Sequence, residues 1–160
     1  MLELLTPMNK LERVSRKITA SSFVAEPGIW APVQADGSLA NVTTDTPELV
    51  NKLVITSASS NVYESHDVEV GRITCMESQG TRVKVDSEGW YDSAIGNITV
   101  GDLLYVAASD GNEGKLASVS SNPDTLSSGT YEVVGRVEEV NSTGGWIIYR
   151  TISPTTHTFS

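Results

Sequence analysis

The chain has 160 residues and a mass of 17.1 kDa, which suits one compact domain with a real hydrophobic core. Its 11 basic and 20 acidic residues give a net charge of −9, which argues against a nucleic-acid-binding surface over the whole protein. The longest apolar runs are about five residues, whereas a membrane-spanning helix needs roughly 20, so we expect neither nucleic acid nor membrane as a partner.

The first 20 residues differ from the rest and predict an N-terminal arm, residues 1–20. Residues 1–30 hold four bases and three acids, so the other 130 residues hold seven bases and 17 acids. Thr6 and Pro7 are typical of a helix start, and a short amphipathic helix is predicted over residues 7–18. Its apolar face comprises Met8, Leu11, Val14 and Ile18. Glu3 and Pro7 are atypical of a secretory signal, so we expect synthesis in the cytoplasm.

Two interpretations of this arm stay open. In the first, the arm is a fraying terminal helix with solvated bases. In the second, it docks on an acidic partner surface or on a neighbouring subunit, with the bases setting orientation and the apolar face supplying buried area. The candidate contact residues of the second interpretation are Lys10, Leu11, Arg13, Val14, Arg16 and Lys17.

From about Ser21 onward, short apolar runs alternate with turn residues. Val occurs 18 times and Thr 16 times, and together with 13 Gly they favour strands and tight turns over helices. Apolar and polar residues alternate over 68–73 and 81–86, which predicts strands with one buried and one exposed face. We therefore expect an all-β fold, an antiparallel β-sandwich or barrel of about eight to ten short strands, spanning residues 21–160. Two β lobes, 21–92 and 93–153, are the alternative division.

The C-terminal part carries the clearest strand pair. Gly144 and Gly145 predict a hairpin turn between a strand over 131–140 and another over 146–152. The polar tail that follows, residues 155–160, is interpreted either as disordered or as a strand lent to a neighbouring molecule.

No cluster in the sequence predicts catalysis or a metal site. His66 lies near Glu64, Asp67 and Glu69, but strand alternation would put 64 and 66 on one face and 67 and 69 on the other, so a solvated acidic rim is favoured. The lone Cys75 excludes an intrachain disulfide and a thiolate zinc cluster. The segment 110–114 lacks the ligand set of a calcium loop and reads as a hairpin turn. We expect no enzyme activity, no metal and no cofactor.

The three tryptophans, Trp30, Trp90 and Trp146, admit two roles. They could form a stacking platform for sugars or bases, but core or interface anchors are the more common use of so few tryptophans. We therefore interpret them as core or interface aromatics.

One stretch resembles a known family. Its matching residues are Gly101-Asp102-Leu103-Leu104-Tyr105-Val106, Asp110-Gly111 with Gly114-Lys115-Leu116, Tyr131-Glu132-Val133-Val134-Gly135-Arg136-Val137, and Trp146-Ile147-Ile148-Tyr149-Arg150. In this order the pieces resemble the C-terminal part of small capsid decoration (cement) proteins of tailed bacteriophages, over residues 95–152.

The resemblance implies a structural protein of the virion. Such proteins are β-rich, often trimeric, and bind the outside of an icosahedral head, where they clamp neighbouring subunits of the major capsid protein. The expected partners are therefore the major capsid protein and two further copies of this chain. The alternative from another class is a receptor- or glycan-binding module of a phage tail or head fibre, which exposed tryptophan and tyrosine side chains would favour.

Overall fold

The structure, a computed structural model, describes residues 2–6, 12–17, 27–40, 42, 51–54, 72–76, 79–87, 89, 97–108, 112–122 and 129–160. Within these ranges ten strands form two antiparallel sheets, which confirms the all-β prediction. In chain order the strands are β1 (Leu2–Leu4), β2 (Arg13–Lys17), β3 (Trp30–Pro32), β4 (Asn51–Val54), β5 (Arg72–Met76), β6 (Arg82–Asp86), β7 (Leu103–Val106), β8 (Leu116–Ser118), β9 (Gly129–Asn141) and β10 (Trp146–Phe159).

The two sheets make a β-sandwich. One sheet has six strands in the order β1-β6-β10-β9-β7-β8, and the other has four in the order β2-β5-β4-β3. Neither sheet closes on itself in the part of the chain that the structure describes, so the sandwich prediction is confirmed and the barrel alternative is wrong.

Side chains from both sheets fill the interior core. Trp30, Leu53 and Met76 come from the four-stranded sheet and are at most 6% exposed. The six-stranded sheet contributes Val83, Val85, Leu104, Val106, Leu116, Val134, Val137, Ile147 and Tyr149. This one core joins strands from both halves of the chain, and the division into lobes 21–92 and 93–153 stays a prediction.

Backbone hydrogen bonds also join the sheets at one end. The N–H of Trp30 on β3 donates to the carbonyl of Gly114, which precedes β8, at 2.7 Å. Gly114 has φ +84°, and a Cβ there would collide with the Trp30 carbonyl oxygen. Only glycine suits both the dihedral angle and the close approach.

The predicted hairpin is present and longer than expected. β9 and β10 pair around the turn at 142–145, where the Gly144 N–H donates to Asn141 Oδ1 at 2.6 Å. β10 continues through the polar tail to Phe159, which pairs in register with Gly129. Both interpretations of residues 155–160 are therefore wrong, because the tail is a strand of its own sheet.

The helix predicted over residues 7–18 is wrong where the structure describes it. Residues 13–17 form β2, which pairs with β5 from Arg13↔Met76 to Lys17↔Arg72. Thr6 Oγ1 does not cap a helix but accepts a hydrogen bond from the Arg82 N–H at 2.9 Å. β1 belongs to one sheet and β2 to the other, so these parts of the predicted arm are built into the sandwich. Of the strand predicted over 68–73, residues 68–71 lie outside the described residues, and residues 72 and 73 belong to β5.

Candidate functional site

The described part of the predicted contact segment, residues 13–17, forms the strand β2. β2 is the first strand in the four-stranded sheet, and β5 is its pairing partner among the described residues. Val14 and Arg16 are half-buried, and a side chain at Gly37 would meet Arg16 Nη1 at 3.8 Å. Arg16 therefore lies against the turn at 34–38. Lys10 and Leu11 lie outside the described residues.

A second basic surface, which the sequence did not reveal, lies on the outer face of the six-stranded sheet. Arg150 on β10 pairs directly with Arg136 on β9 and with Arg82 on β6. Directly paired residues of antiparallel strands share a face, so the three side chains form one line across the sheet. We call Arg82, Arg136 and Arg150 the arginine row.

A β-bulge supplies the acid that holds part of this row. The β9–β10 register shifts between Ile148↔Glu139 and Tyr149↔Val137, which leaves Glu138 as the extra residue. Glu138 accepts hydrogen bonds from Arg82 Nε at 2.7 Å and from Arg150 Nε at 2.6 Å. Arg150 Nη1 also donates to the Gly80 carbonyl at 3.0 Å. One carboxylate therefore bridges two of the three arginines.

The electrostatics of Glu138 follow from these contacts. Partial desolvation acts to raise the pKa of Glu138. The hydrogen bonds and charges of Arg150 and Arg82 outweigh this effect and hold the pKa below its ordinary value. We conclude that Glu138 is ionised at neutral pH and orients both guanidinium groups.

A parallel row of mixed charge lies beside the arginine row. Lys84 Nζ donates to Glu3 Oε2 at 3.1 Å and lies 5.0 Å from the centre of the Trp146 ring. Glu139 pairs with Ile148 in the same row, which places a second acid on this face. The outer face thus carries acids as well as bases, with the arginines concentrated in one line.

The described tryptophans have different environments. Trp30 is 6% exposed and belongs to the interior core, whereas Trp146 is half-buried on the outer face beside Lys84. Trp90 lies outside the described residues.

Most of the tyrosine and phenylalanine side chains described by the structure are also buried. Tyr105, Tyr131 and Phe159 form a cluster on the outer face near the C-terminus, with ring centres 5.4–5.9 Å apart. Tyr149 is fully buried in the interior core. Burial raises the pKa of the Tyr149 phenol well above its ordinary value, and the neighbouring Trp30 indole opposes only part of this rise.

Another carboxylate, Asp102, has a structural role. It accepts hydrogen bonds from the Thr99 N–H at 2.9 Å and from Ser118 Oγ at 3.0 Å, so it fixes the turn before β7 against the end of β8. This turn contains the Gly101 and Asp102 that opened the family resemblance.

The remaining sequence candidates contribute little to a described site. His66 with Glu64, Asp67 and Glu69 lies outside the described residues, as do Asp110 and Gly111. Cys75 is buried in a small apolar cluster with Ile29, Leu39 and Val54. In the part of the chain that the structure describes, no three His, Cys, Asp or Glu residues group as metal ligands would. No helix within the described ranges has the length and apolarity to cross a bilayer.

Comparison with known proteins identifies no relative. No family model, curated protein or solved structure matches the chain.

Proposed function

We propose that the protein is a capsid decoration protein of a tailed bacteriophage, made in the host cytoplasm and carried on the outside of the virion. It binds the major capsid protein as a homotrimer and reinforces contacts between capsid subunits by adhesion, without catalysis. The observation that carries the proposal is a basic strand, β2, which ends its sheet among the described residues of a protein whose net charge is −9.

A strand with bases is suited to attachment. Its bases favour an acidic partner and fix the orientation of binding. Three copies on one trimer would bind together, so contacts that are weak singly add up to firm attachment.

The strand order also supports the resemblance. β7 begins directly after Gly101 and Asp102, Gly114 and Lys115 precede β8, and β9 contains residues 134–137 before the last strand, β10. This is the order of pieces that the family resemblance implies.

Aromatic burial favours adhesion over glycan binding. Trp30, Tyr105, Tyr131 and Tyr149 are each at most 8% exposed, so they offer no open ring face for a sugar. A stacking platform would need several exposed rings close together.

Co-sedimentation with undecorated phage heads tests the proposal. Removing residues 1–20 would delete β1 and β2 and disturb both sheets, so the test uses the charge-reversal pair Arg13→Glu and Lys17→Glu in β2. Lys115→Glu, next to β8 in the other sheet, is the single-site control and makes half of that change in charge.

We expect a trimer by light scattering and saturable co-sedimentation of the wild type. The β2 pair should weaken binding at least tenfold, since two positive charges become negative, and Lys115→Glu should bind as the wild type does. Binding to cells or glycans, with no binding to any heads, would overturn the proposal.

A further inference from the structure

The arginine row is a concentration of like charge that the fold alone does not require. Arg82, Arg150 and Arg136 pair directly across three neighbouring strands, and like charges directly opposite each other destabilise a sheet. Glu138 neutralises one charge of the three, which leaves the row net positive on an acidic protein. We propose that the arginine row binds an extended acidic segment of a partner protein.

The row is accessible to such a segment. The Arg82 and Arg150 side chains are 42% and 46% exposed, and Arg136 is exposed as well. Each guanidinium has five N–H donors; Glu138 accepts the Nε–H of Arg82 and of Arg150, and the Gly80 carbonyl accepts one N–H of Arg150 Nη1, so most of the terminal N–H donors remain. The terminal nitrogens of these fixed side chains can therefore hold a partner carboxylate in the two-point geometry that arginine favours.

The spacing suits an extended chain. Neighbouring strands lie about 4.8 Å apart, so three arginines on three strands span roughly 10 Å. Alternate side chains of an extended segment are about 6.7 Å apart on one face, so two or three alternating acids cover the row.

The surroundings favour a protein partner over a uniformly charged polymer. Glu3, Asp86 and Glu139 lie on the same face and would repel a nucleic acid or a sulfated glycan laid across it. Leu103, paired with Arg136, is half-buried beside the row, and Trp146 lies two rows away. Arginine and tryptophan beside apolar side chains are typical of protein interfaces.

This inference goes beyond the proposed function. The arginine row is on the six-stranded sheet and β2 is on the four-stranded sheet, so either surface can fail without the other.

Nuclear magnetic resonance of the arginine side chains gives a direct test. The probe is an eight-residue peptide of alternating glutamate and threonine, titrated into the intact, ¹⁵N-labelled protein. We expect the Nε–H signals of Arg82, Arg136 and Arg150 to shift together with millimolar affinity, while that of Arg72 on β5 stays in place.

Two variants locate the binding. Arg136→Gln leaves the Glu138 bridge intact and should weaken binding of the peptide about threefold. Lys115→Gln makes the same change of charge and should leave the affinity for the peptide unchanged.

Three results would overturn the inference. One is a peptide of alternating glutamine and threonine that shifts the same signals equally. Another is heparin binding the row more tightly than the acidic peptide at equal salt. The third is a shift confined to Arg13 and Arg16, which would place acid binding on β2 and leave the proposed function standing.

Discussion

Glu138 organises the outer face of the six-stranded sheet through one inserted residue. Without the bulge, the register that pairs Asn141 with Trp146 would continue and place Val137 opposite Arg150. The bulge brings Arg136 opposite Arg150 and turns Glu138 toward both Arg150 and Arg82. The arginine row therefore depends on the β-bulge at Glu138, which cannot be predicted from the residue types alone.

The contribution of Glu138 to stability should depend on pH. Its pKa is lower in the folded protein than in the unfolded chain, so its stabilising effect is present above the unfolded pKa and is lost as the pH falls through the folded pKa. We expect Glu138→Gln to lower the free energy of unfolding by less than about 1 kcal/mol at pH 7, because its partners are partly exposed. Urea unfolding from pH 7 to pH 2 should show the difference from the wild type fading; a constant difference would contradict this assignment.

The contribution of Tyr149 to stability should depend on pH in the opposite direction. Its phenol has a raised pKa in the folded state, so its stabilising effect is complete below the unfolded pKa of about 10 and is lost as the pH rises above it. Tyr149→Phe should therefore flatten the loss of stability above pH 10.

At neutral pH the same substitution should cost little. Neither the Tyr149 hydroxyl nor Trp30 Nε1 makes a hydrogen bond of ordinary geometry within the described part of the chain. Thermal unfolding of both proteins at pH 7 and pH 11 checks both statements; parallel losses in the two proteins would contradict the role of Tyr149.

Among the secondary-structure elements, strands are predicted well where the local apolar–polar pattern agrees with the strand pairing in the fold. β6 alternates apolar and polar residues, and its burial alternates accordingly. The β9–β10 hairpin follows from its glycine turn and apolar runs. Register was not predictable, because the bulge at Glu138 becomes visible only when both strands are paired.

The N-terminal segment shows tertiary pairing overriding local propensity. The spacing of Leu11, Val14 and Ile18 matches a helix, yet Val14 and Arg16 pair with β5, and five backbone pairs outweigh a weak helical preference. The polar tail at 155–160 is a similar case, because its strand is stabilised by β9 and by Phe159 packing on Tyr105. Composition alone gives no sign of either partner strand.

Gly114 tests how the two sheets are joined. Gly114→Ala should lower the free energy of unfolding by at least about 2 kcal/mol, because it adds a strained φ and a collision with the Trp30 carbonyl. Gly101→Ala is the matched control: its φ is +98°, but nothing lies within 4 Å of the added Cβ. Denaturant unfolding should show a clearly larger loss for Gly114→Ala; equal losses would mean that the contact with β3 adds nothing.

In the whole molecule, basic residues are concentrated on two surfaces of an otherwise acidic protein. A net charge of −9 coexists with a basic strand, β2, on one sheet and the arginine row on the other. Trp30, Tyr105, Tyr131 and Tyr149 are buried. Such a molecule is suited to binding other proteins through defined basic surfaces, which is what an adhesive capsid component needs.

Calorimetry of undecorated phage heads measures whether the protein reinforces the capsid. Saturating amounts of the protein should raise the melting temperature of the heads, because a ligand that binds only the assembled state stabilises it. The Arg13→Glu and Lys17→Glu pair should give a smaller rise at the same concentration. Heads that bind the protein yet melt at an unchanged temperature would show that it does not reinforce the capsid.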